Sequence, residues 1–255
     1  MVEDGNRADL LIGNNVLAHV PDLNDFVKGL KVQLSPQGVI TIEFPHLKKL
    51  IECNHFETIY HEHFSYFSLL TVETVFAEFG LTIFDVEEIP THGGSLRIYA
   101  RHESDTSKPV QNSVDNLRDQ EIKAGFRDAG IYTRFAEQVR ETKRKLLSFL
   151  IEAKRQEKKI VGYGAPAKGN TLLNYCGIRN DFIDYTVDLN PHKQGLFLPG
   201  THLPIFSPDR IRETRPDYVL ILPWNLREEV MEQMAHIREW GGQFVVPIPE
   251  LQVYK

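Results

Sequence analysis

Twice in this chain an apolar run, an amphipathic helical pattern and further apolar runs follow one another, and that rhythm restricts the fold more than any other feature. Residues 9–15, DLLIGNN, read as a short apolar strand ending in polar residues. Residues 22–34 place Leu23, Phe26, Val27, Leu30 and Leu34 on one helical face behind Asp22, a suitable N-cap. Ser35-Pro36-Gln37-Gly38 reads as a turn, and GVITIEF (38–44) as a buried strand. Strand, helix, strand is the unit of a parallel α/β sheet with a right-handed crossover. The second occurrence starts at KKIVGYG (158–164), passes through a helix at 167–176, and reaches strands at 182–188, 216–222 and 242–248. Helical patterns near 208–213 and 225–238 fit between those strands.

Between the two occurrences a helix is predicted near 71–79 and strands near 81–89 and 95–102. The tight turn His92-Gly93-Gly94-Ser95 makes the last two an antiparallel pair. From 104 to 157 the sequence turns polar and helical, with Phe135, Val139, Leu146, Leu147 and Leu150 keeping one stripe. The expected organisation is therefore a first α/β unit at 1–103, a helical linker at 104–157 and a second, Rossmann-like unit at 158–255.

Composition narrows the function classes. With 42% hydrophobic and 25% charged residues the chain can build an ordinary core. A formal net charge of -6 argues against a broad basic surface for nucleic acid. Cys53 and Cys176 stand far apart, without metal-type spacing, and suit a reducing cytoplasm. The N-terminus lacks a signal peptide's pattern and no apolar run reaches membrane-spanning length, so a cytoplasmic protein is expected.

Two segments carry chemistry. Residues 45–70 interrupt the α/β rhythm and are rich in histidine and aromatics, culminating in Tyr60-His61-Glu62-His63-Phe64-Ser65-Tyr66-Phe67-Ser68. An imidazole, with an ordinary pKa near ~6.5, can accept a proton at neutral pH, and aromatics could wall off a flat substrate. H-x-H is the wrong spacing for the helical metal motif. On a strand the two histidines would share a face, with His19, His46, His55 or His92 as a third ligand. No metal is expected, and satisfied polar side chains with no chemistry are the plain alternative. The second segment, Gly162-Tyr163-Gly164-Ala165-Pro166-Ala167, fits G-x-G-x-x-A between strand and helix, and Asp188 ends the next strand. Taken alone this suggests an NAD-dependent oxidoreductase, or a tight turn that binds nothing.

In their order along the chain, NNVLAHVPD (14–22), EFPHL (43–47), YHEHFSYFS (60–68), THGGSLRIYA (91–100), GYGAPAKGN (162–170), DLNPHKQG (188–195) and PWN (223–225) resemble the sugar C-methyltransferases. The resemblance covers essentially the whole chain, and it is the combination that is specific. It implies a partial Rossmann-type methyltransferase sheet followed by a Rossmann-like C-terminal domain. It implies methylation, by S-adenosylmethionine, of a carbon beside the ketone of a nucleotide-linked keto-deoxysugar. His63 matches the family's proposed base, and Tyr60 and Glu62 its neighbours. Asn14 and Asn15 would meet the cofactor or sugar at a strand's carboxyl end, and His19 would support the site. Gly164, Ala165, Lys168, Asn170 and Lys193 would hold the substrate's pyrophosphate, using a helix N-terminus beside cations.

Complete members of that family begin with a cysteine-rich zinc module and a glycine-rich cofactor loop. Neither is in this sequence, so the resemblance makes the chain a truncated C-terminal part with only a partial S-adenosylmethionine site. Expected consequences are inactivity in isolation, and an open apolar edge on strand 9–15 that invites an N-terminal partner chain or self-association. A non-catalytic subunit that binds a sugar nucleotide remains an alternative, distinguished by its partners.

Overall fold

The computed structural model describes residues 6–255, the side chain of His92 excepted. The chain divides into two units. One is Met1–Glu52 with His61–Arg134, the other Cys53–Tyr60 with Phe135–Lys255.

In the first unit, β1 (Ala8–Asn14) and β2 (Leu34–Pro45) are parallel and joined by α1 (Leu23–Gln33). Asp22 caps α1 by accepting the Asp25 N–H at 2.9 Å, which is why the helix starts where it does. Ser35-Pro36-Gln37-Gly38 does not form the expected turn but lies within β2, where two steps of β1 (Ala8 to Leu10) face five of β2 (Leu34 to Val39). The extra residues bulge out of the pairing, so the proline needs no ladder partner. After α2 (Leu47–Glu52) and the aromatic segment come α3 (Leu69–Glu78), β3 (Leu81–Ile89) and β4 (Ser95–His102). The sheet order is β1-β2-β4-β3, with β4 antiparallel to both of its neighbours, β2 and β3.

The alternation of β2 and β4 makes the core. Ile40, Ile42 and Phe44 face Ala100, Ile98 and Leu96 across the ladder, and all six are inaccessible to solvent. Each large aliphatic or aromatic side chain so buried contributes roughly 1.5–3 kcal/mol before entropy is counted. On the opposite face Glu43 pairs with Arg97 at 2.9 Å. β1 is an edge strand, with Leu10 53% and Ile12 66% exposed.

The polar segment expected to link the units is divided between them. α4 (Asn112–Ala124) gives Val114 and Leu117 to the first core. α5 (Ala129–Arg155) gives Leu146, Leu150 and Ala153 to the second. Among the described residues no helix is long and apolar enough to cross a membrane.

The second unit contains β5 (Ile160–Tyr163), α6 (Ala167–Cys176), β6 (Thr186–Val187), β7 (Ile205–Phe206), α7 (Asp209–Thr214), β8 (Tyr218–Ile221), α8 (Arg227–Gln233), β9 (Gln243–Val246) and β10 (Gln252–Tyr254). Its sheet order is β10-β9-β8-β5-β6-β7, parallel apart from β10. The short β7 and β10 escape the sequence pattern because a pair of two- or three-residue strands has no detectable period. Helices cover the sheet on two sides, giving two apolar clusters, one around Leu146, Leu172 and Leu220, the other around Val219, Ile237 and Phe244.

Candidate functional site

The carboxyl end of β1 is shaped by its last residues. Asn14 pairs with Glu43 of β2, and Asn15 turns into the left-handed region at φ 54° while its N–H donates to the Glu43 carbonyl at 2.8 Å. A short 3-10 turn, Leu17–His19, follows and presents His19. Its Ala18 carbonyl accepts the N–H groups of Phe64 and Ser65 at 2.8 and 3.3 Å. That pair of bonds sets His63 beside His19. The two imidazoles meet edge to face, centroids 4.8 Å apart at 76°, and Tyr66 stands 5.6 Å from His63 at 82°. The histidine segment is irregular loop rather than a strand, so His61 and His63 do not share a strand face, and His61 and Glu62 are exposed. Tyr60 belongs to the segment Cys53–Tyr60 of the other unit.

Among the described residues no group of three or more His, Cys, Asp or Glu is placed to hold a metal ion. His46 lies in a buried pair with Glu121 of α4, and His55 stacks on Trp224 within the second unit. The His92 side chain lies outside the described residues.

Asn14 and Asn15 fit a partial role toward a cofactor. They stand where a parallel strand ends, and among the described residues neither carboxamide is engaged in an internal hydrogen bond.

In the second unit the glycine turn is built as its sequence demands. Gly164 sits at φ +88°, and a Cβ there would come within 2.6 Å of Pro223 Cδ. A Gly164→Ala substitution is therefore expected to destabilise this unit. The backbone contributes about 1–2 kcal/mol and the overpacking about 1–3 kcal/mol. Both tryptophans of the chain, Trp224 and Trp240, lie in this unit, so urea unfolding followed by their fluorescence reads it directly. An unshifted midpoint would show that the turn adjusts without strain.

The turn's polar groups are largely engaged from within. Asp188, just past β6, accepts the Ala165 N–H at 2.7 Å, the Lys193 ammonium at 3.3 Å and the Asn190 N–H at 2.8 Å. Lys193 also donates to the Ala165 carbonyl at 3.0 Å. Asp188 is thus a brace for the loop, not the open ribose acceptor that an NAD site needs. Gly164, Ala165 and Lys193 are gathered around it. Asn170 accepts from Asn174 Nδ2 with its carbonyl at 2.9 Å and its side-chain oxygen at 3.2 Å.

Lys168 takes part in a separate cluster. Its ammonium lies 4.5 Å from the Trp224 ring centroid and donates to the Asn225 side chain. The other partners of Trp224 are His55, stacked at 4.1 Å, and Glu57, whose carboxylate accepts the indole N–H at 2.5 Å. Burial pushes Glu57 up to about 7, opposed by hydrogen bonds from its own backbone and Trp224 and by the Lys168 charge. Burial, then the Lys168 charge, lowers His55 to about 4, and burial also lowers Lys168 itself. Sequence reasoning offered His55 only as a third metal ligand and did not single out Glu57 or Asn225. PWN at 223–225 was the one available signal, since HFET carries no period or motif.

Comparison with known proteins adds the following. Residues 90–249 match the family described as the C-methyltransferase C-terminal domain, and residues 2–86 match a methyltransferase domain. C-methyltransferase NovU of Streptomyces niveus is 37% identical over 249 residues, covering 96% of this chain and 58% of that protein. The chain thus spans about three-fifths of the length of that relative. Among solved structures, M1.HpyAVI aligns with TM-score 0.27 and 12% identity over 41% of this chain and 49% of its own. The M1.HpyAVI-SAM complex gives TM-score 0.27 and 11% identity over 41% and 48%.

Proposed function

The chain belongs to the C-methyltransferase family, and from that premise we propose that it activates a nucleotide-linked keto-deoxysugar for methylation at a carbon beside the ketone. The observation that carries this reading is the His63–His19 pair, two imidazoles 4.8 Å apart beside the carboxyl end of a parallel strand. His63 removes the proton alpha to the ketone, leaving an enolate on the sugar. His19 fixes the ring's attitude, and Tyr60 and Glu62 orient the sugar. Asn14 and Asn15 reach toward S-adenosylmethionine, which when bound supplies an electrophilic sulfonium methyl group. For the second unit by itself, the start of α6, with Gly164, Ala165, Asn170, Lys168 and Lys193, is the proposed binding place for a pyrophosphate, which would draw the two lysines from their internal partners.

The rival reading, an NAD-dependent oxidoreductase, rests on the glycine turn, and the filled coordination of Asp188 speaks against it. The test is solvent exchange. In deuterium oxide, without cofactor, the complete enzyme is expected to exchange the proton beside the ketone of a deoxythymidine diphosphate keto-sugar. Tight NADH binding with no such exchange would overturn the proposal.

A further inference from the structure

A buried carboxylate far along the chain holds the loop that carries His63. Glu121 of α4 is wholly inaccessible to solvent. Its Oε1 accepts the Leu69 N–H at 2.8 Å and its Oε2 the Leu70 N–H at 2.9 Å, the first two amides of α3. Helix-start amides have no partner of their own within the helix, and this carboxylate supplies one from another element. His46 Nε2 lies 2.7 Å from Glu121 Oε1, the same oxygen that accepts the Leu69 N–H.

His46 is itself a junction. Its N–H donates to the Gly94 carbonyl at 3.1 Å, it bridges Phe67, and the next residue, Leu47, donates to the Phe67 carbonyl at 2.9 Å. Phe67 is 2% exposed and packs its ring edge to face on Phe44 at 5.6 Å. The loop from His61 to Ser68 therefore leaves through a fixed exit. Phe67 is pinned by Leu47, and the first turn of α3 is pinned by Glu121. The bonds from Phe64 and Ser65 to the Ala18 carbonyl hold its middle.

We propose that Glu121 and His46 form a positioning pair for His63, setting the exit of its loop so that the imidazole meets His19. The inference rests on the reading of His63 as the base. Neither residue touches substrate. Their effect passes through α3 and Phe67, and a displacement of about 1 Å at a reacting group can cost on the order of 100-fold in rate.

The pair is tested with Glu121→Gln, His46→Gln and His46→Leu in the complete enzyme. Two readouts are used: amide hydrogen exchange at Phe64 and Ser65, and the enzyme-catalysed exchange of the substrate proton. Gln at 121 keeps the shape but sets an NH2 group against a helix amide or His46. It is expected to speed Phe64 and Ser65 exchange about 10-fold or more while the core strands keep their protection. Its kcat should fall about 100-fold with KM changed less than about 3-fold. His46→Gln, whose Nε2 can donate in the same place, should stay within about 3-fold of the parent, and His46→Leu should behave like Glu121→Gln. Folded Glu121→Gln with unchanged loop protection and unchanged kcat would overturn the pair, as would equal losses in His46→Gln and His46→Leu. If Glu121→Gln does not fold, the two His46 variants decide. Accelerated loop exchange in a protein whose parent exchanges no substrate proton would leave the pair standing and sink the proposed chemistry instead.

Discussion

Replacing Glu57 by Gln is expected to change the pH dependence of the second unit's stability, raising it by about 3 kcal/mol near pH 8 relative to the parent. The carboxyl rises from 4.5 to about 7 on folding. A raised acid contributes stability in full below pH 4.5, and that contribution is lost as pH climbs through about 7. His55 runs the other way, from 6.5 down to about 4, so its contribution is complete above pH 6.5 and lost as pH falls toward 4. Each shift is worth about 3 kcal/mol at this depth of burial. In the parent the two slopes oppose one another across mildly acidic pH and nearly cancel. Gln keeps an oxygen for the Trp224 N–H but cannot ionise. The variant should therefore gain stability from pH 4 upward with the His55 slope alone. A His55→Phe variant, which keeps a ring on Trp224, should instead lose stability as pH rises. Tryptophan fluorescence in urea across pH 4 to 8 measures both. Parallel curves for the parent and Glu57→Gln would refute the assignment.

The sequence foreshadowed this cluster poorly and the first unit well, for one physical reason. α1, β2 and β4 write their burial into local periods, and Asp22 caps its helix by a contact three residues away. Glu121 reaches α3 across some fifty residues and Trp224 reaches Glu57 across far more, and no local pattern records such bonds. The glycine turn illustrates the middle case. Its strand-turn-helix context was readable, but the capture of Ala165 by Asp188 depends on how β6 ends beside it. The proline in Ser35-Pro36-Gln37-Gly38 misled because turn chemistry and a strand bulge use the same residues.

His63→Gln is expected to abolish enzyme-catalysed exchange of the substrate's alpha proton, a loss of about 10²–10⁴-fold, with substrate binding little changed. Gln retains hydrogen-bonding groups of similar reach but cannot accept the proton at neutral pH. His19→Gln, by contrast, should lower the rate less, since it removes the neighbour and leaves the base. Exchange followed by proton NMR in deuterium oxide separates the two without any methyl transfer. Exchange at the parent's rate in His63→Gln would move the base elsewhere, with His19 the next candidate.

The second unit is not a continuous stretch of chain, and this bears on how it can be inherited and made. Phe56 belongs to its core, Asn54 donates to Thr142 at 2.6 Å, and Glu57 holds Trp224, yet His61–Arg134 belong to the other unit and intervene. A recombination event that moved only Phe135–Lys255 into another gene would deliver a sheet with a hole in its apolar packing and an indole N–H without its acceptor. On the ribosome the same arrangement imposes an order. Cys53–Tyr60 emerges early and must wait, unpaired, until β5, α6 and the turn at Trp224 have been synthesised, so this unit closes a long loop late in its own assembly.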